Sequence, residues 1–152
     1  MSNFKIYVKS ILIPVIVGGI VGLIIRPVID YGSLNKPPLT PPGLLFSIIW
    51  PILYVLMGIS YGILDTRNLA DEKVNTAYYL QLIVNIIWPV LFFVLKARLL
   101  SSIWIVLLLV LIIYMIVTFN KKNKLAAYLQ IPYLMWTAFA TYLNIGVYLL
   151  NR

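Results

Sequence analysis

The chain contains no cysteine and no histidine, and these two absences exclude several kinds of chemistry. Disulfides, thiolate nucleophiles, the usual zinc sites and histidine-ligated haem are all ruled out. Acidic residues are also scarce, with 4 Asp and Glu against 12 Lys and Arg. We therefore predict no catalytic residue, no metal site and no cofactor. All four carboxylates fall in predicted loops or at the ends of apolar segments: Asp30, Asp65, Asp71 and Glu72.

Hydrophobic side chains make up 62% of the 152 residues and charged side chains only 11%. Soluble domains carry about half apolar and about a quarter charged residues, so the composition predicts an integral membrane protein. A transmembrane β-barrel would need alternating apolar and polar residues, which the apolar segment 103–117 does not show. The net charge of +8 lies mainly near segment ends, where cations meet lipid headgroups. We therefore predict the lipid bilayer as a partner and no nucleic acid.

Five apolar segments approach the length of about 20 residues that a membrane-spanning helix needs. We predict a single all-α domain over residues 1–152, an integral membrane bundle of five transmembrane helices. Short connectors make successive helices antiparallel neighbours. The distribution of Lys and Arg among the connectors favours an N-terminus inside the cell. The predicted spans cover about residues 4–25, 44–64, 74–95, 102–119 and 125–150.

A Pro-rich loop, residues 26–42, is the longest connector and joins the first two helices. Pro37, Pro38, Pro41 and Pro42 forbid a regular helix here and favour a stiff, extended path. Stiffness lowers the entropic cost of holding the loop over the bundle. The loop is therefore either a lid over the bundle or a rigid connector, and its residues leave both interpretations open.

Two pairs of glycines lie four residues apart within predicted helices, Gly18 with Gly22 and Gly58 with Gly62. Such pairs allow a second helix to approach closely. For the first pair we favour packing inside the bundle over dimerisation. A homodimer formed through either pair remains an alternative.

Aromatic and polar side chains recur on one face of three predicted helices, because positions three, four or seven apart share a helix face. A planar ligand between these helices would stack on Trp50 and Trp136. Tyr54, Asn85 or Asn144 would form hydrogen bonds with its polar edge. Ordinary helix packing is the alternative. The faces comprise Trp50, Tyr54, Met57 and Tyr61; Tyr78, Gln81, Asn85, Pro89 and Phe92, with Trp88 at the edge; and Tyr133, Trp136, Ala140 and Asn144.

Prolines interrupt three of the predicted spans, at Pro51, Pro89 and Pro132. Each lacks a backbone N–H, so the carbonyl one turn earlier needs another partner, from a side chain, water or a ligand. The fourth helix differs, because residues 103–117 are apolar nearly all round. We expect this helix to face lipid, with Trp104 as an anchor at the membrane interface.

Three segments carry motifs in a distinctive order: residues 36–43 (KPPLTPPG), 85–89 (NIIWP) and 132–144 (PYLMWTAFATYLN). With the five-span layout, they resemble the TspO/MBR family of tryptophan-rich sensory proteins and translocator proteins along essentially the whole chain. The resemblance implies a five-helix bundle whose first loop covers a ligand cavity, and often a homodimer. It implies a sensor or transporter that binds porphyrins such as protoporphyrin IX, benzodiazepine-type drugs and, in some members, sterols. We expect a multi-pass protein of a bacterial cell membrane.

The resemblance also implies which positions contact a ligand. Near the end of the chain, Leu143, Tyr148 and Arg152 match the loose pattern proposed for cholesterol contact, which is frequent by chance. The family positions that match are Trp50, Asn85, Trp136 and Ala140, with Tyr54 and Leu143. Combined with the helix faces, the candidate ligand-binding residues are Trp50, Tyr54, Asn85, Trp88, Tyr133, Trp136, Ala140, Leu143 and Asn144.

The chain departs from the family pattern at several aromatic positions. Leu39 stands where the family usually has Trp, and Asp30 and Ile86 replace two further Trp. Only four Trp remain. Some bacterial members are associated with light-dependent porphyrin breakdown, and such an enzyme is one alternative to a binding protein. A structural membrane subunit without a ligand is the other.

Overall fold

The computed structural model describes residues 2–29 and 31–152, so the loop position predicted for Asp30 lies outside the described residues. Over the described residues the protein is helical, with five segments long and apolar enough to cross a membrane. The predicted all-α bundle of five transmembrane helices is confirmed. The helices are α1 (Asn3–Ile25), α2 (Gly43–Thr66), α3 (Glu72–Pro89), α4 (Arg98–Asn120), α5 (Lys124–Tyr128) and α6 (Ile131–Asn151).

Short polar side chains begin three of these helices. Ser2, Asp71 and Asn123 each accept a hydrogen bond from the backbone N–H three residues further on. This satisfies one of the N–H groups that every helix start leaves unpaired. Pro42 precedes α2, because a helix cannot form through a run of prolines. The spans therefore begin where a capping residue or the last proline allows the backbone to become helical.

Glycines bring α1 and α2 into close contact. A Cβ added at Gly58 would overlap the backbone of Ile11, and one added at Gly62 would lie 2.6 Å from the ring of Tyr7. Gly58 and Gly62 thus pack inside the bundle, where small side chains allow two helices to approach. A homodimer stays a prediction, and it would need another surface than these two glycines.

The expectation that the fourth helix faces lipid holds for one of its sides, where Ile103, Val110 and Val117 are exposed, and is wrong for the other. One face of α4 packs against α3 and α6. Trp104 is no simple interface anchor, because its indole N–H donates to the backbone carbonyl of Val84 at 2.8 Å. Lipid tails are as apolar as a protein interior, so an evenly apolar helix gives no sequence signal for its buried face. The buried side chains of that face include Ile105, Leu108, Ile112, Met115 and Phe119.

The three prolines predicted to interrupt spans have different outcomes, and α2 continues through Pro51. The fifth span is divided, and Pro132 lies in the first turn of α6, where its missing N–H costs no hydrogen bond. After Pro89, the chain continues as a π-helical turn, Val90–Val94. Such turns accommodate a local irregularity in a helix. Pro132 therefore begins a helix, and Pro89 marks a change in helix type.

The Pro-rich loop is fastened to α6. The backbone N–H of Asn35 donates to Asn151 Oδ1 at 3.1 Å, and Asn151 Nδ2 donates to the carbonyl of Asn35 at 2.7 Å. The hydroxyl of Tyr142 donates to the carbonyl of Pro38 at 2.6 Å. Gly146 lies beneath Pro37, whose ring would be 2.6 Å from an added Cβ. The loop has a defined path, and its action as a lid stays a prediction.

An ion pair outside the membrane-spanning helices joins two connectors. Lys122 Nζ lies 2.7 Å from Asp71 Oδ2. The hydrogen bond from Lys122, and after it the one from the N–H of Val74, hold the pKa of Asp71 below its ordinary value of 3.8. A carboxyl with a lowered folded-state pKa stabilises the fold above its unfolded pKa. It loses that stabilisation as the pH falls through the folded pKa.

We expect Gly58→Ala to destabilise the bundle and Gly19→Ala not to, although both replace a helix-weakening glycine. A Cβ at Gly58 meets the backbone of Ile11, whereas one at Gly19 meets nothing within 4 Å. Thermal unfolding in detergent, followed by circular dichroism, should give a lower Tm for Gly58→Ala and an unchanged or higher Tm for Gly19→Ala. Equal Tm values would contradict the close contact between α1 and α2.

Asp71→Asn keeps an acceptor for the N–H of Val74 but removes the charge that pairs with Lys122. We expect the wild type to have the higher Tm at pH 7, by a small margin because the pair is partly exposed. The difference should shrink as the pH falls below the ordinary carboxyl pKa of 3.8. Lys122→Gln should lower the Tm by a similar amount at pH 7. The double variant should have the same Tm as either single variant, because each change removes the same ion pair. A difference that persists in strong acid would show that the ion pair is not its cause.

Candidate functional site

A cavity of about 790 Å³ lies between α1, α2, α3 and α6, with residues of the Pro-rich loop at one end. Its wall is mostly apolar. On α1 the wall includes Gly19 and Gly22, at which an added Cβ would meet no atom within 4 Å. The missing side chains of these glycines therefore leave space within the bundle. The opposite side of the cavity is formed by aromatic and amide side chains of the other helices.

Most of the predicted ligand-binding residues lie together in this wall. They come from three helices, as the shared helix faces predicted. Leu143 and Ala140 of α6 are almost fully buried, and the three aromatic side chains are half-buried. The members of the predicted set that line the cavity are Trp50, Tyr54, Asn85, Trp88, Ala140, Leu143 and Asn144.

The structure places Tyr133 and Trp136 outside the cavity wall. Tyr133 has no exposed surface and lies in the hydrophobic core. Trp136 packs edge-on against Phe46, with ring centroids 5.4 Å apart, and Phe46 is the ring that reaches the cavity. A ligand here would therefore not lie between Trp50 and Trp136, and the aromatic side chain facing it from α3 is Trp88.

Asn85 is the centre of a hydrogen-bonded network that joins α2, α3 and α6. Its Oδ1 accepts from the hydroxyl of Tyr54 at 2.6 Å, and its Nδ2 donates to the hydroxyl of Tyr133 at 2.7 Å. Tyr133 in turn donates to Gln81 Oε1 at 2.7 Å. Chains of hydrogen bonds in a low-dielectric interior strengthen one another. This network therefore fixes one wall of the cavity.

Asn144 is the centre of a second network, which joins α3, α4 and α6. Its Oδ1 accepts from the indole N–H of Trp88 at 2.7 Å. Its Nδ2 donates to the hydroxyls of Ser102 at 2.7 Å and Ser101 at 3.3 Å. The amide hydrogens of Asn144 are thus used within the protein. Asn85 and Asn144 both connect helices, which is the alternative role that sequence reasoning allows for an amide in a span.

Several lining residues were missed by the sequence-based set. Phe92 stacks on Trp88 with ring centroids 5.2 Å apart, and Phe46, Arg26 and Thr40 also line the cavity. The spacing of Phe92 along α3 was a usable signal, because it shares the face of Asn85. No such signal exists for Arg26 and Thr40, which lie outside the long helices.

Leu39, which replaces a family Trp, lies away from the cavity. Its side chain is 82% exposed, and it is not among the residues that line the cavity. Its φ of 70° is in the left-handed region, which a residue with a branched, bulky side chain rarely adopts. The loss of an indole at Leu39 therefore leaves the cavity wall unchanged.

The five apolar helices and the partly open, aromatic-walled space define a multi-pass membrane protein with a cavity between its helices. The sequence model of the TspO/MBR family matches residues 10–150, and the chain belongs to this family. The resemblance predicted from the motifs is thus confirmed.

Named relatives come from distant organisms. The tryptophan-rich protein TspO of Archaeoglobus fulgidus is 38% identical over 80% of this chain and 79% of its own. The tryptophan-rich sensory protein of Cereibacter sphaeroides is 32% identical over 86% of this chain and 82% of its own. The translocator protein of Ovis aries is 35% identical over 75% of this chain and 70% of its own.

Trp88→Phe keeps an aromatic ring in the cavity wall but removes the N–H that donates to Asn144. A buried acceptor that loses its donor costs about 1–3 kcal/mol, so we expect a corresponding loss in the free energy of unfolding. Trp50→Phe is the matched control, because Trp50 belongs to neither network. Denaturant unfolding in mixed micelles measures both variants. A loss of stability for Trp50→Phe as large as for Trp88→Phe would argue against the role of the Asn144 network.

Proposed function

We propose that this protein binds planar hydrophobic ligands, above all porphyrins such as protoporphyrin IX, in the cavity between α1, α2, α3 and α6. The cavity itself carries the proposal, because its volume of about 790 Å³ falls in the range of about 300–1,000 Å³ found for small-molecule sites. The names of two relatives, a sensory protein and a translocator protein, support a role as sensor or transporter. We place this role in a bacterial cell membrane.

The aromatic wall favours a flat ligand. Trp50 lies beside Tyr54 with ring centroids 5.8 Å apart, and Trp88 stacks on Phe92 at 5.2 Å. Each ring pair presents π surface, and aromatic stacking contributes about 0.5–1.5 kcal/mol beyond the burial of area. A porphyrin offers a flat, conjugated macrocycle, and benzodiazepine-type drugs offer smaller flat aromatic rings. A sterol offers no such face, so it fits this wall less well.

In this proposal the predicted residues have two roles. Trp50, Tyr54 and Trp88 contact the flat body of the ligand, and Ala140 and Leu143 leave room beside it. Asn85 and Asn144 hold the helices in register, as their networks indicate. Tyr133 and Trp136 support the wall from behind, through Asn85 and Phe46 respectively.

We expect Ala140→Phe to weaken binding of protoporphyrin IX at least about tenfold, the effect of losing about 1.4 kcal/mol. Ala140 is 7% exposed and lines the cavity, so a benzyl group there would occupy the ligand's space. Ala138→Phe is the control, since Ala138 lies two residues away on the exposed side of α6. Quenching of tryptophan fluorescence on titration measures affinity, and circular dichroism confirms folding. Equal affinity of the two variants would remove the cavity as the binding site.

Light-dependent porphyrin conversion is a second candidate, which one observation favours. Two of the four tryptophans, Trp50 and Trp88, line the cavity, so a bound porphyrin would lie against indole rings. The same samples test this activity: porphyrin absorbance is followed under illumination and in the dark. Loss of absorbance under light that disappears in Trp50→Phe/Trp88→Phe would support an enzyme. Absorbance that stays constant under light would support binding alone.

A further inference from the structure

Arg26 stands at the point where α1 ends. Its backbone N–H donates to the carbonyl of Gly22, and the short 3₁₀ turn Arg26–Val28 follows. Pro27 cannot continue the pattern of helical hydrogen bonds, so the chain turns away and leaves Arg26 at the rim. The side chain is exposed and also lines the cavity. Arg26 therefore stands where the cavity meets its surroundings.

Arg26 is the charged residue among the described residues that line the cavity. Two donors of the wall are engaged within the protein: Tyr54 donates to Asn85, and Trp88 donates to Asn144. Trp50 also lines the cavity and belongs to neither network, but its indole N–H is an uncharged donor. Thr40 donates to the carbonyl of Pro37 at 2.6 Å. An anionic group at the rim would thus find one charged donor among the described lining residues, the guanidinium of Arg26.

The chemistry of a guanidinium suits a carboxylate. It stays charged at every accessible pH and offers a planar fork of N–H donors that matches two carboxylate oxygens. Charge-assisted hydrogen bonds of this kind are about twice as strong as neutral ones. Because Arg26 is exposed, the anion would stay at the membrane interface, and only the apolar body of the ligand would leave water.

We propose that Arg26 binds an anionic group of the ligand, so that the cavity selects amphiphiles that carry a carboxylate next to a flat apolar body. This inference rests on the proposed function and adds a charge requirement to it. The same chemistry could come from the phosphate of a lipid headgroup whose acyl chain enters the cavity, and the experiment below separates the two sources.

The test compares protoporphyrin IX with its uncharged dimethyl ester on wild-type protein in a neutral detergent. For Arg26→Gln we expect the acid to bind at least about tenfold more weakly, the effect of losing a hydrogen bond to a charged group, with the affinity for the ester unchanged. Arg26→Lys should recover part of the loss. Arg67→Gln is the matched control. Arg67 is also exposed, but it follows the C-terminal end of α2 and does not line the cavity.

The outcomes are distinct. Equal affinity of the wild type for acid and ester, or equal losses for both in Arg26→Gln, would overturn the inference and leave the proposed function standing. Binding of neither porphyrin to the wild type would overturn the proposed function itself. A second measurement, in nanodiscs, separates the two sources of the anion. It compares porphyrin binding in phosphatidylcholine alone with binding after phosphatidylglycerol is added. Competition in the wild type but not in Arg26→Gln would support the anion site and assign it to lipid phosphate, and no competition would assign it to the ligand's carboxylate.

Discussion

A polar side chain inside an apolar bundle depends on partners supplied by the bundle, because lipid tails offer none. Two amides meet this constraint here by joining three helices each. Asn85 connects α2, α3 and α6, and Asn144 connects α3, α4 and α6. Since two of these helices are common to both networks, the positions of all four are coupled. The cavity is bounded on one side by both networks, so hydrogen bonds hold part of an otherwise apolar wall in place.

Space in the bundle comes from residues that lack side chains. Gly58 and Gly62 let α1 approach α2 closely, and Gly18 makes room for the ring of Tyr54. Further along α1, Gly19 and Gly22 face open volume. α1 thus uses glycine in two ways, for close contact at Gly18 and for open space at Gly19 and Gly22.

Length and hydropathy were sufficient to predict the five spans, because a long apolar segment has few other stable states in a bilayer. Helical spacing also placed most of the cavity residues correctly. It failed for Trp136, which shares the α6 face of Ala140 and Leu143 but lies one turn before them and packs against Phe46. Spacing gives the face of a helix, but it does not give the extent of a cavity along that face. It failed for α4 because core and lipid are equally apolar. Arg26 belongs to no periodic pattern in the sequence, so only the folded structure shows that it lies at the rim of the cavity.

The fastening of the Pro-rich loop has a consequence for how the protein is made. Asn35 and Asn151 are 116 residues apart in the chain, yet they exchange hydrogen bonds. During synthesis the loop emerges early, and its docking partner emerges after every helix of the bundle. Until Asn151 has been synthesised, the backbone N–H and carbonyl of Asn35 lack the partner that α6 supplies. The path of the loop is therefore fixed only once the last helix of the bundle is in place.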